Sequence, residues 1–241
     1  MLKKILKNFL IQKNINIKYI KNMPTGLDWI YDINHFIKQS PIKTILDVGA
    51  NIGLVSKNLH NSFPVSNIYS IEPDPTAYSK LKQSTTSPKI KTFNIALGSQ
   101  SEKLFVNFHP ASQRNSIHIS NQSDQLKSTE IQVENTAEFI KRQQIEIVDI
   151  LKTDTEGYDL EVIKGAELLL KHNKIKFILS EIGFTKHDPQ HTNISELIHY
   201  LDHFNYRLFQ IYDFSDTNHF LEWGPSYANA LFVNVSAFQD T

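Results

Sequence analysis

The chain has 241 residues, enough for one large α/β domain with a substantial core and a small appendage. Its 25 Lys and Arg balance its 25 Asp and Glu, so no net field draws it to nucleic acid, and the absence of Cys excludes disulfides, thiolate metal sites and a Cys nucleophile. That composition fits a reducing compartment; no stretch is apolar for long enough to span a bilayer and the N-terminus has no signal-peptide core, so a cytoplasmic location is expected.

Residues 1–22 carry Lys3, Lys4, Lys7, Lys13, Lys18 and Lys21 with no acid before Asp28. Leu2, Ile5, Leu6, Phe9 and Leu10 fall on one helical face, which fits a helix packed on its own domain, a basic helix resting on an anionic membrane, or one docked on a partner. Pro24 and Gly26 punctuate this arm, and a second helix is expected over Thr25 to Gln39. The expected division is an N-terminal basic helical extension, 1–40, and a Rossmann-like domain, 41–241.

Thr44 to Val48 is a short apolar run rich in β-branched residues and reads as a buried parallel strand. It breaks into Gly49-Ala50-Asn51-Ile52-Gly53, after which Val55, Leu59 and Phe63 trace one face of a helix stopped by Pro64. A turn between a parallel strand and a helix N-terminus is where nucleotide-like ligands bind. Asn67 to Ile71 reads as the next strand and ends in Glu72, at the spacing from which an acid reaches ribose hydroxyls; Asp74 then caps a helix that has Pro75 in its first turn. A dinucleotide fingerprint needs a glycine at the third position of the loop, where this chain has Asn51. That side chain crowds a diphosphate, whereas S-adenosylmethionine has no phosphate and gains a polar partner from it.

Lys89 to Asn94 reads as a third strand, followed by Ala96-Leu97-Gly98 as a turn lining an adenine. Leu104 to Phe108 and Thr129 to Glu134 look like strands, and the Ser, Asn and Gln between them, Ser112 to Ser123, like an exposed loop offering Arg114, Asn115 and Ser116 to a substrate. The fourth core strand, Ile145 to Leu151, runs into Lys152-Thr153-Asp154-Thr155-Glu156-Gly157 at the crevice mouth. Glu156 is expected to cap a helix starting near Gly157, whose face carries Ile163, Ala166 and Leu170; the fifth strand, Ile175 to Leu179, ends in Glu181.

Asn193 opens a helix from Ile194 to Phe204, with Glu196 three residues on in the manner of a capping box. Tyr206 to Tyr212 and Ala228 to Val233 are joined by a connection, with Trp223-Gly224-Pro225, short enough to force an antiparallel hairpin. His187, Asp188 and His191, or His199 and His203, lack a third ligand at a fitting spacing and read as solvated surface histidines, so no metal site is assigned.

Taken together, Asp47-Val-Gly-Ala-Asn-Ile-Gly53, Glu72-Pro-Asp-Pro75, Ala96-Leu-Gly98, Lys152-Thr-Asp-Thr-Glu-Gly157, Lys164-Gly-Ala166 and Ser180-Glu-Ile182 resemble the FkbM family of S-adenosylmethionine-dependent methyltransferases. The resemblance covers about residues 44 to 233, in the family's order, and departs from it mildly: Asp159 stands where Glu is common, and Thr136-Ala137-Glu138 where Thr-Leu-Asp is common. It implies the class I methyltransferase fold, a seven-stranded, mostly parallel sheet whose last strand is antiparallel. It also implies O-methyl transfer to a sugar, glycan or secondary metabolite.

Such a transfer needs donor and acceptor held in line and a hydroxyl relieved of its proton by a base or a metal. Cofactor binding then falls to Gly49, Asn51, Gly53, Glu72 and Ala96, with Asp47 steadying the loop. The acids in reach of the hydroxyl are Asp154, Glu156 and Glu181, with Lys152 biasing their charge or touching substrate. Asp154 is favoured as a metal-free base; the alternative is Mg2+ held by Asp154 and Glu181. Two other classes compete: a non-enzymatic Rossmann-like scaffold, which has no use for the clustered acids, and an NAD-dependent oxidoreductase, which Asn51 disfavours.

Overall fold

The computed structural model describes residues 23–37, 41–106, 108, 128–185, 188, 190–215 and 225–238. The basic arm of residues 1–22, the candidate substrate residues Arg114, Asn115 and Ser116, His187, and Trp223 with Gly224 lie outside the described residues. The chain divides into two units at Lys38 and Gln39. In the first, helix α1 is Trp29–Ile37, starting four residues later than the sequence suggests. Asp28 explains the delay: its carboxylate accepts from Tyr31 N at 2.8 Å, so the helix starts at its cap, after a turn through Gly26 at φ 93°.

The second unit is built on a sheet of strands, buried along nearly their whole length inside it and partly exposed at its two edges. In chain order these are β1 (Thr44–Val48), β2 (Asn67–Ile71), β3 (Ile90–Phe93), β7 (Val148–Thr153), β8 (Ile175–Gly183), β10 (Tyr206–Tyr212) and β11 (Tyr227–Asn234). Their order across the sheet is β10-β11-β8-β7-β1-β2-β3, with the two-residue β9 (Thr192–Asn193) added on β8. Strands β3, β2, β1, β7 and β8 run parallel, and β11 is antiparallel to both β8 and β10. This is the seven-stranded class I methyltransferase arrangement, and the hairpin expected at the C-terminus closes it. The Ile, Leu and Val that predominate in β1, β7 and β8, buried on both sides of the sheet, fit a parallel sheet covered on both faces.

The helices are α2 (Leu54–Ser62), α3 (Pro75–Ser84), α4 (Thr136–Arg142), α5 (Asp159–Gly165), α6 (Glu167–Lys171) and α7 (Ile194–Asp202). Asp74, Asn135 and Asn193 each cap one by accepting from backbone N–H groups of the first turn.

Four sequence expectations are corrected. Ala96-Leu97-Gly98 is no turn but strand β4, paired parallel with Val133 to Asn135 of β6 (Thr129–Asn135), which also pairs with β5 (Glu102–Val106) in a separate three-stranded sheet. The fourth core strand is shifted: Ile145 still closes the turn after α4, bonding back to Ile140 O, and the strand continues through Lys152 and Thr153, whose polar ends find buried partners. Glu181 likewise lies inside β8, because β11 pairs with it as far as Gly183. The helix after Glu156 starts at Asp159 and is broken at Ala166 into α5 and α6, so Glu156 stands in the preceding turn.

Candidate functional site

The carboxyl ends of β1, β2 and β7 meet at one crevice. Gly49 N and Ala50 N both donate to Ile71 O, at 2.9 and 3.0 Å, and Asp154 N donates to Val48 O at 3.1 Å, tying the three strand ends side by side. Val48, Gly49, Asn51, Ile71, Glu72, Ala96, Leu97, Phe108, Asp154 and Glu156 line it. The wall from Ile71, Ala96, Leu97 and Phe108 is apolar and the remainder is rich in carboxylates. A larger hollow of about 780 Å³, walled by Leu160, Leu170, Tyr200 and Phe204, shares no lining residue with this crevice.

Glu72 is the centre of the loop geometry. One carboxylate oxygen accepts from Asn51 N at 2.8 Å and the other from Asp74 N at 2.9 Å, so it fastens the glycine loop to the start of α3. It is only 6% exposed, and burial raises its carboxyl to about 7 against the pull of those two N–H donors. Asn51 has a left-handed backbone, φ 48°, a conformation Asn tolerates better than other side-chain-bearing residues and one that turns its N–H toward Glu72.

The two loop glycines have different jobs. A Cβ on Gly49, at φ 77°, would fall 1.8 Å from Asp154 O, so this position must be Gly for the ends of β1 and β7 to meet. Gly53, at φ 87°, does not line the crevice; a Cβ there would strike Leu81 and Ser84 of α3. Asp47 also stands behind the crevice, wholly buried, accepting from Ser56 Oγ at 2.6 Å and lying 3.3 Å from Lys152 Nζ.

Lys152, read from sequence as a residue of the crevice mouth, is inside β7 with its side chain 4% exposed. Its ammonium reaches Asp47, Asp154 at 3.1 Å and Gly49 O at 3.3 Å. Burial works against its charge, but Asp154 and Asp47 more than offset that and hold it above the ordinary lysine range. Asp154 is 37% exposed and faces the crevice.

Two further acids are held away from bulk water. Asp159 is fully buried, which raises its carboxyl to about 6. Glu181 is pushed up to about 9, first by burial and then by the neighbouring Asp154, Asp159 and Glu156. His191 is no solvated surface group. Its side chain is 9% exposed, bonds Asp188 at 2.6 Å and stacks on Tyr227, whereas His199 and His203 are exposed as expected. Local spacing shows only Asp188, three residues earlier; Tyr227 and Glu181, which help bury His191, come from other elements.

Residues 47–208 match the Methyltransferase FkbM domain family. The chain belongs to this family. In this FkbM domain the Ala96-Leu97-Gly98 and Lys164-Gly165-Ala166 motifs meet each other, since a Cβ on Gly165 would lie 1.9 Å from Gly98 O. Their role is therefore close packing of α5 on β4, with Ala96 and Leu97 left to line the crevice. Among relatives, Methyltransferase 1 of Beauveria bassiana (strain ARSEF 2860) is 24% identical over 162 residues, covering 58% of this chain and 64% of that protein. Methyltransferase sdnD of Sordaria araneosa is 26% identical over 172 residues, covering 58% and 65%. The chain thus spans just under two thirds of the length of these relatives. Among solved structures, the METTL16 MTase domain aligns at TM-score 0.49 and 14% identity over 86% of this chain and 64% of that one. Among the described residues, no helix is long and apolar enough to cross a membrane.

Proposed function

We propose that this FkbM domain binds S-adenosylmethionine and methylates a hydroxyl oxygen of a sugar, glycan or secondary metabolite. The observation that carries the reading is Glu72, a carboxylate fixed by Asn51 N and Asp74 N at the end of β2, in a crevice where one wall is apolar and the other acidic. Those walls suit a ligand that joins an adenosine to a cationic sulfonium. When bound, that cofactor supplies an electrophilic methyl group. Glu72 would accept from the ribose hydroxyls, and Ile71, Ala96 and Leu97 would flank the base. The Gly49–Asn51 loop would meet the amino-acid end.

On the acceptor side, Asp154 is the group assigned to take the hydroxyl proton. It lines the crevice, is exposed enough to meet an incoming substrate, and is anchored by Lys152. Glu181 lies inside β8 and does not line the crevice, so it is less well placed than Asp154 to meet the hydroxyl. Lys152 would serve by neutralising Asp47 and keeping Asp154 in position. The protein is expected to work in the cytoplasm, and the basic arm of residues 1–22 is offered as a peripheral contact with anionic membrane. Calorimetric titration with S-adenosylmethionine and NAD in parallel tests the cofactor: one saturable S-adenosylmethionine site supports it, and binding of NAD alone overturns it. A mass gain of one methylene on a hydroxylated acceptor, with no turnover of its amine or thiol analogue, tests the O-methyl assignment.

A further inference from the structure

We infer that Glu156, Glu181 and His191 form a divalent-cation site beside the crevice, built for a transition cation such as Mn2+ in preference to Mg2+. One donor atom from each of the three lies within 4.8 Å of the others. Ligand bonds of about 2.0–2.2 Å set donors roughly 3–4 Å apart, so small side-chain rotations close the set on an ion. The three come from separate elements: the turn between β7 and α5, strand β8, and the segment leading into β9.

The imidazole is held as a metal ligand is held. Its Nδ1 lies 2.6 Å from Asp188 Oδ2, and donation there leaves the Nε2 lone pair directed at the acids. That Nε2 is 3.7 Å from Glu181 Oε2, too far for a hydrogen bond. The ring is fixed further by stacking on Tyr227, centroids 4.8 Å apart and planes 13° from parallel. Room for the pair is made by Gly183 at the end of β8, where a Cβ would come within 2.9 Å of His191 Cβ and 3.3 Å of Asp188 Oδ2. Glu181 is fixed from the backbone, paired with Asn229 of β11 and flanked by Ser180 in register with Thr153 of β7.

Two carboxyl groups and one imidazole nitrogen converge where the Glu181 and His191 side chains are only 14% and 9% exposed, a mixed oxygen and nitrogen donor set for a cation. Carboxylates alone suit Mg2+ or Ca2+; the nitrogen donor shifts the preference toward a transition cation. Three protein ligands leave positions open to water or to an acceptor hydroxyl, and Glu156 also lines the crevice. The site rests on these side chains alone, while its use to hold the acceptor oxygen rests on the methyl-transfer reading.

The test uses the full chain, stripped with EDTA and titrated with MnCl2, following free Mn2+ by electron paramagnetic resonance. One Mn2+ per chain is expected, bound at least tenfold more tightly than Mg2+. Glu181→Gln and His191→Ala should each weaken Mn2+ at least tenfold, and the near-isosteric Asp188→Asn by about 10- to 100-fold. His199→Ala, on the exposed face of α7, should change nothing. Absence of saturable Mn2+ binding would mean that His191 is only an ion-pair partner of the acids, and would overturn the site. Wild-type affinity in Glu181→Gln and Asp188→Asn, with unchanged circular dichroism, would overturn it equally. A parallel titration with S-adenosylmethionine separates the two readings: a chain that binds Mn2+ but no S-adenosylmethionine keeps the cation site and loses the methyl-transfer assignment.

Discussion

Lys152→Met is the perturbation whose consequence the structure fixes most tightly. Lys152 and Asp47 are both shut off from solvent, with side-chain exposures of 4% and 0%, and sit 3.3 Å apart in register on neighbouring strands β7 and β1. Removing the ammonium leaves Asp47 buried with Ser56 Oγ as its remaining short hydrogen bond, and breaking a buried pair in this way costs about 3–5 kcal/mol. Asp154 adds little to that cost, since at 37% exposure water can replace its partner. Adding Asp47→Asn to Lys152→Met removes the uncompensated charge but keeps an oxygen for Ser56 to bond, so the double variant should regain most of the loss. The raised lysine sets the upper end of the pH range, since its contribution is present below about 10.4 and lost only as pH rises past its higher folded value; because its charge also favours the ionised forms of Glu72, Asp159 and Glu181, the loss should grow as pH rises from about 6 to 9. Urea unfolding reads both changes as shifts in midpoint at constant slope. A single variant within 1 kcal/mol of wild type, or a double variant no more stable than the single, refutes the reasoning.

Three more outcomes follow from the same geometry. Because burial raises Glu72 to about 7 and the ribose diol is expected to bind its ionised form, affinity for S-adenosylmethionine should fall as pH drops below 7, approaching tenfold per unit; a flat profile from pH 5.5 to 8 by calorimetry would contradict it. Asp154→Asn should lose about a hundred- to ten-thousand-fold in turnover while binding S-adenosylmethionine almost normally, and near-wild-type turnover in single-turnover assays would remove Asp154 as the base. Gly165→Ala puts a methyl group 1.9 Å from Gly98 O, so α5 must lift from β4; thermal unfolding should register a loss of about 1–3 kcal/mol, and an unchanged midpoint would contradict the close packing.

How far the sequence could be read depended on how local each signal was. The strand, loop and helix from Thr44 to Ser62 were legible because apolar runs, glycines and caps act on their own neighbours, and Glu72 because its spacing from the loop is set by one βαβ unit. Strand β4 was not: three residues carry no periodicity, and their partner, Val133 to Asn135, lies far along the chain. Gly49 was legible as a special position but for an incomplete reason, since what it accommodates is the carbonyl of Asp154 from another strand. Lys152 read as a mouth residue because a lysine in a buried strand is improbable until Asp47 and Asp154 are seen on either side of it. His191 was dismissed on chain spacing, which cannot see that β8 and the turn after β7 bring Glu181 and Glu156 to it.

The central claim, that this crevice is an S-adenosylmethionine site organised by Glu72, is tested most directly by titrating the wild-type chain and Glu72→Ala with that cofactor. The charge-assisted bonds to the ribose hydroxyls are worth about 1.5–3 kcal/mol each, so the wild type should show one saturable site and the variant should bind about 10- to 100-fold more weakly or worse. Equal affinity in the two proteins, or no S-adenosylmethionine binding by the wild type, would contradict it.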